Sequence, residues 1–306
     1  MSLAPSLSMP RSRFNTLPLT ITLFCLLWSF AFVAGKIGVT DCPPLILLAA
    51  RFLAAGILIL AVSAFRRDAS PLSWRNVIVF AILGLANNAL YLGLGYTGLK
   101  SVSAALGGLI VSANPVFTAA LAAIFLDEAL TSRKVLGLLL GVVGVGLIVW
   151  HRMSAGTDSP HGIVFTLSSL ASIVAGTILF KLLAPKGSLW IGNGIQNLAA
   201  GIVLIPIALT FADVREIVPS GRLVFAFTFL VLGGSILAYF LWFHLLKVCG
   251  ATAASAYHFL MPPLGMLFAW LVLGEHVAFR DLAGIVPVAL GIFLVTRPAA
   301  SQRSSS

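Results

Sequence analysis

An all-helical protein that crosses a membrane many times is the fold class this sequence predicts, on three observations. Hydrophobic residues fill 59% of the 306 positions and charged residues only 9%, with a mean hydropathy of +1.07; soluble domains are roughly a quarter charged. The apolar residues fall into runs of the length, about 20 residues, that spans a bilayer as a helix. The chain also repeats itself. Arg75 and Arg222, Lys100 and Lys247, Pro115 and Pro262, Glu128 and Glu275, and Arg133 and Arg280 all stand 147 positions apart.

Ten candidate spans follow in order: 18–39, 44–64, 76–97, 101–125, 134–150, 161–184, 189–211, 222–246, 250–274 and 281–296. Arg11 and Arg13 precede the first, as in a secretory signal. That run is longer than the 7–15 residues, roughly, of a signal core and has no clear small-residue cleavage site, so it reads as an uncleaved helix. The second span carries Arg51 in an apolar setting. The third follows the link Arg66-Arg67-Asp68-Ala69-Ser70-Pro71 and holds two adjacent asparagines. The fourth is free of charge from Ser101 to Leu126 yet contains Pro115, which deletes a backbone hydrogen bond. The fifth is rich in glycine, the sixth in serine, and the seventh carries Asn193, Gln196 and Asn197. The eighth holds the aromatic stripe discussed below. The ninth repeats the buried proline in MPPLG, residues 261 to 265, and the tenth closes the repeat. Residues 1–16 and 298–306, rich in Ser and Pro, read as disordered cytoplasmic tails, and the short links leave no room for a soluble domain.

The net charge of +10 does not point to nucleic acid, because the basic residues form no stripe. Placing both termini in the cytoplasm puts Arg11, Arg13, Arg66, Arg67, Arg75, Arg133, Lys134, Lys181, Lys186, Lys247, Arg297 and Arg303 inside. Lys36, Lys100, Arg152, Arg215, Arg222 and Arg280 then fall outside, which follows the positive-inside rule. Cys25, Cys42 and Cys249 lack metal-ligand spacing and read as buried thiols. No nucleotide motif, metal cluster or nucleophile–base constellation is present, so no cofactor, ATP drive or enzymatic chemistry is expected. The repeat divides the chain into 17–153 and 154–297. With five spans in each half, the second enters from the opposite side, the inverted arrangement of many secondary transporters.

The run YTGLKSVSAALGGLIVSANPVFTAALAAIFLDEALTSRKVLGLLLGVVGVGLIV resembles the signature region of EamA-type carriers of the drug/metabolite transporter superfamily. LLKVCGATAASAYHFLMPPLGMLFAWLVLGEHVAFRDLAGIVPVALGIFLV repeats it. WSFAFVAGK and ARFLAAGILIL match as well, so the resemblance covers essentially the whole chain. It implies ten helices in two inverted five-helix repeats and export of amino acids or other small metabolites across a bacterial-type inner membrane. The overall look is closest to YddG-type amino-acid exporters. A drug or organic-cation exporter is the alternative within the superfamily, and a non-transporting membrane interaction protein the alternative outside it. Small multidrug exporters of this superfamily hold an acid in their first helix, where this chain offers Lys36.

Polar and aromatic groups deep in apolar spans are the candidate substrate contacts: Trp28, Asn87, Asn88, Tyr91, Tyr239, Trp242, Ser255, Tyr257 and His258. Helical spacing puts Asn87 and Asn88 each on a face with Tyr91, and Ser235, Tyr239 and Trp242 in one stripe. Amides and hydroxyls suit an ammonium and a carboxylate, and aromatic faces suit an apolar side chain. Interhelical hydrogen bonding is the competing reading. Pro115 and Pro262 are expected to kink paired helices around a central cavity. Glu128 and Glu275 close apolar runs and are read as interfacial residues pairing with nearby Arg133 and Arg280. Arg51 is read as pairing or snorkelling, and Lys36 as either a carboxylate attractor or a snorkelling helix-end residue.

Overall fold

The computed structural model describes residues 17–65, 73–111, 113–126, 131–154, 158–183 and 185–275, with short pieces between 286 and 294. Among these residues every regular element is helical. In chain order they are α1 (Leu17–Asp41), α2 (Pro44–Phe65), α3 (Trp74–Leu99), α4 (Ala104–Phe125), α5 (Ser132–Ser154), α6 (Pro160–Leu183), α7 (Leu189–Phe211) and α8 (Gly221–Cys249). Four consecutive pieces, Ala251–Ala256, Tyr257–Leu260, Met261–Phe268 and Ala269–Leu273, make up α9. Seven of these helices, all but α5 and α9, are long and apolar enough to cross a membrane. The expected tenth span lies mostly outside the described residues, as do both tails and Glu128.

The outside of the bundle is apolar. Ile57, Val164, Ile202 and Val224 are all more than half exposed, the reverse of a soluble surface and what a lipid solvent requires. Inside, the two halves interleave: α2 lies along α7, α3 along α6 and α7, and α1 against α8 and α9. Glycine permits two of these contacts. A Cβ on Gly84 would land on the backbone of Gln196, and one on Gly98 would lie 2.8 Å from the Gly162 carbonyl. Small residues that let backbones touch are how helices pack without a hydrophobic drive between them. Ser73, Ser188 and Ser220 cap the starts of α3, α7 and α8 by accepting from backbone N–H groups two or three residues into the helix.

Helix interruptions recur at the repeat spacing. α4 breaks after Val111 and restarts at Asn114, with Pro115 in the first turn of the new segment. In α9 the Tyr257–Leu260 piece is a tight 3-10 turn, and the next segment starts at Met261 with Pro262 in its first turn. A proline there lacks only an N–H that has no helical partner anyway. Both prolines expected to kink their helices thus stand in the first turn of a new helical segment. The first segment of each begins 147 positions apart as well, at Ala104 and Ala251.

Candidate functional site: a cavity with a buried arginine

α1, α2, α3 and α8 surround a small cavity. Trp28 and Phe32 line it from α1, Arg51 from α2, Tyr91 and Tyr96 from α3, and Gly234 and Tyr239 from α8.

Arg51 dominates its electrostatics. The residue is 2% exposed. Its Nε donates to Ser235 Oγ at 2.7 Å and its Nη1 to the Tyr96 hydroxyl at 2.8 Å. Nη2 lies against Gly234, where an added Cβ would sit 2.7 Å away, and has no acceptor among the described residues. The guanidinium also sits 5.5 Å from the Phe52 ring centroid and 5.7 Å from that of Tyr96. Among the described residues no carboxylate pairs with it. Burying an uncompensated cation costs several kcal/mol, and two hydroxyl acceptors and two ring faces offset only part of that. The expected pairing or snorkelling is therefore corrected: Arg51 points into the protein and is held by neutral partners.

Two π-helical turns place these groups. One occupies Leu85–Leu90 in α3 and the other Leu230–Ala238 in α8. The N–H of Tyr91 reaches the Ala86 carbonyl five residues back, and that of Tyr239 reaches Gly234. Such turns are rare and gather at functional sites. Each rotates the side chains beyond it relative to those before. In α3 this sets the orientation of the regular segment that carries Tyr91, Leu92 and Tyr96 to the cavity wall, and in α8 Gly234 and Ser235 lie within the turn, against Arg51. The Tyr239 hydroxyl, donating to the Asn87 carbonyl at 2.7 Å, ties one turn to the other.

The candidate residues separate into three groups. Trp28, Tyr91 and Tyr239 line the cavity. Trp242 and His258 lie behind Trp28 in a ring cluster with Phe24: Trp28 to Tyr239 is 5.1 Å between centroids, Trp28 to His258 5.4 Å and Trp242 to His258 4.8 Å. Asn87 and Asn88 are buried, and their side-chain amides have no partner among the described residues. Ser255 is buried too, its carbonyl 3.1 Å from His258 Nδ1. Half-buried Tyr257 bonds Cys249 through its hydroxyl and accepts from the Cys25 thiol through its carbonyl. Of the other lining residues, Tyr96 and Phe32 are not among the sequence candidates, and the sequence marks Arg51 only as pairing or snorkelling.

Residues 17–150 and 160–297 each match the EamA-like transporter family. The chain belongs to that family. It is 27% identical to an uncharacterized inner membrane transporter, YedA of Escherichia coli, over 92% of this chain and 91% of that protein. It is 26% identical to an uncharacterized transporter, sll0355 of Synechocystis, over 91% and 89%. A solved crystal structure superposes with a TM-score of 0.67 over 93% of this chain and 98% of its own, at 18% identity, which speaks to the fold alone. The protein is a multi-pass membrane transporter of the drug/metabolite superfamily.

In this EamA-family chain the described carboxylates gather at one end of the bundle, and none lines the cavity. Asp41 at the end of α1 forms an ion pair with Arg222 at the start of α8, with Arg222 Nε 2.6 Å from Oδ2, and Ser220 donates to the same carboxylate. Lys36 donates to the carbonyls of Leu99 and Val102 at 2.7 and 2.6 Å. Asp158 accepts from the Ser103 N–H at 2.6 Å. The Glu275 carboxylate, just past α9, accepts from the N–H groups of Ala104 and Ala105 at 2.9 and 3.1 Å. It caps the first turn of α4, where the helix dipole favours an anion. Its expected pairing with Arg280 involves a residue outside the described ones. Lys36 is not among the residues that line the cavity; it ties α1 to the end of α3 and the link that follows it.

Proposed function

We propose that this protein is an inner-membrane secondary exporter of amino acids and similar small zwitterions, aromatic ones included. In this reading the repeats 17–153 and 154–297 form ten spans in inverted halves with both termini cytoplasmic. The cavity between the halves alternates its access across the membrane, and the helix breaks at Pro115 and Pro262 let the halves move. Arg51 carries the proposal. A buried guanidinium with a free Nη2 and no acid partner among the described residues gains most from an incoming carboxylate, through short charge-assisted bonds. The same charge repels organic cations, which weighs against the drug or organic-cation alternative. Trp28, Tyr91, Tyr96 and Tyr239 then supply faces for the substrate's body, with Trp242 and His258 holding Trp28 from behind. Among the described residues no carboxylate lines the cavity, so protons are not expected to couple through an acid there.

Purified protein in liposomes tests this against amino acids and the amines left when their carboxylate is removed. Amino acids should be carried and the amines not. Arg51→Gln should reduce amino-acid flux about a hundredfold at matched folded protein, the scale of losing a buried charge-assisted contact of about 3 kcal/mol. Equal flux of amines and amino acids through the unaltered protein would overturn the reading.

A further inference from the structure

A second, smaller cavity lies beside the first, toward α4 and α6. The two share Phe32, Tyr91, Leu92 and Tyr96 as a common wall, and so are neighbouring lobes on either side of it. The first lobe holds Arg51. The second is bounded by Gly95, Leu99, Gly107, Val111, Thr166 and Ser169. Its two hydroxyls are already engaged: Ser169 donates to the Tyr91 carbonyl and Thr166 to the Gly162 carbonyl, both at 2.8 Å. Lys36 of α1 and Glu275, just past α9, are turned to backbone groups at the end of the bundle. Beyond the shared tyrosines, the second lobe therefore offers apolar wall and hydroxyls that are already engaged.

Its walls also fix its width. A Cβ on Gly95 would lie 2.8 Å from Ser169 Oγ, and one on Gly107 3.1 Å from Leu99, so both glycines stand at close contacts. Val111, 1% exposed, is the wall residue whose side chain can be enlarged or trimmed without replacing a glycine. Tyr96 stands between the lobes. Its hydroxyl accepts from Arg51 in the first, and its ring borders the second. The 5.7 Å from guanidinium to ring centroid suits an α-amino acid, whose side chain begins two bonds from its carboxylate.

We propose that the second lobe is the side-chain subsite of the transporter, taking the apolar side chain of a substrate whose carboxylate meets Arg51. The proposal rests on the amino-acid reading above and adds a residue, Val111, that sets which amino acids are carried. Filling the lobe excludes large side chains and spares small ones; enlarging it does the reverse.

The test is flux of alanine, leucine and phenylalanine, with the corresponding amines, through Val111→Phe and Val111→Ala in liposomes at matched folded protein. Val111→Phe should lower the phenylalanine-to-alanine flux ratio about tenfold, the discrimination that a methylene or two commands in an apolar pocket. Val111→Ala should raise that ratio, and it decides the matter alone if the larger residue prevents folding. An unchanged ratio in Val111→Ala, or equal losses for every substrate in Val111→Phe, overturns the subsite. Amines carried as well as amino acids, with a size ratio still shifted by Val111, would support the lobe and sink the carboxylate reading, so the two failures are told apart.

Discussion

The π turn of α3 and the π turn of α8 are the same backbone device at repeat-related positions, carrying opposite chemistry. Asn87 and Asn88 in the first correspond, 147 positions on, to Gly234 and Ser235 in the second. In α8 the glycine leaves room for Arg51 and the serine accepts its Nε proton. In α3 the same two positions hold amides buried without partners among the described residues. The halves of the molecule therefore share a fold and not a charge: the cation is admitted on one side only. An internal repeat supplies symmetric helices, while function can rest on the few places where the halves differ.

The most direct way to break this contrast is to give α8 the residue of α3. Gly234→Asn puts a branched amide where even a Cβ would lie 2.7 Å from Arg51 Nη2. The guanidinium must then leave its seat. Amino-acid flux should fall about a hundredfold with little loss of folded yield, because the flexible Arg51 side chain and not a backbone gives way, and the expected loss is that of a charge-assisted contact. Flux near the original level would mean that Arg51 acts from elsewhere. Ser235→Ala is a milder version. It removes the acceptor of the Arg51 Nε proton and should cost about 1.5–3 kcal/mol of unfolding free energy in detergent, the range for hydrogen bonds to charged groups. Added substrate carboxylate should restore part of it, and a loss that substrate does not touch would separate Ser235 from the site.

Much of the fold was legible because the bilayer simplifies the code. The nine helices of the described residues coincide with apolar runs, and the paired prolines marked two interrupted helices. The site was harder. Asn87 and Asn88 paired with Tyr91, and the stripe Ser235, Tyr239 and Trp242, were read at about 3.6 residues per turn, and both pass through π turns that shift that phase. Tyr96 stands five residues after Tyr91, about 140° away on a regular helix, so no face-based argument joins them. The π turns themselves leave no local signature, since nothing in LANNAL or LVLGGSILA demands bonds five residues apart. Arg51 was visible as a cation in an apolar span, where function is the default expectation. What sequence could not show was that its neighbours would be hydroxyls and rings instead of an acid.

The smallest expected effect sharpens the comparison from the α3 side. Asn88 is 0% exposed, and neither its Oδ1 nor its Nδ2 has a partner among the described residues. A buried amide without hydrogen bonds costs about 1–3 kcal/mol, so in an isolated bundle Asn88→Leu, similar in volume and wholly apolar, should stabilise the protein by about 1 kcal/mol. If the amide serves only packing, flux should be unchanged for every substrate. If instead it meets the substrate's ammonium in another stage of the transport cycle, the stabilised variant should bind amino acids more weakly while binding carboxylates that lack an ammonium as before. Thermal unfolding in detergent, measured beside the flux of an amino acid and its deaminated counterpart, separates the two. A variant that is less stable and equally slow for both would show that the amide is satisfied in the folded protein, and the contrast between the two π turns would then be one of residue identity alone.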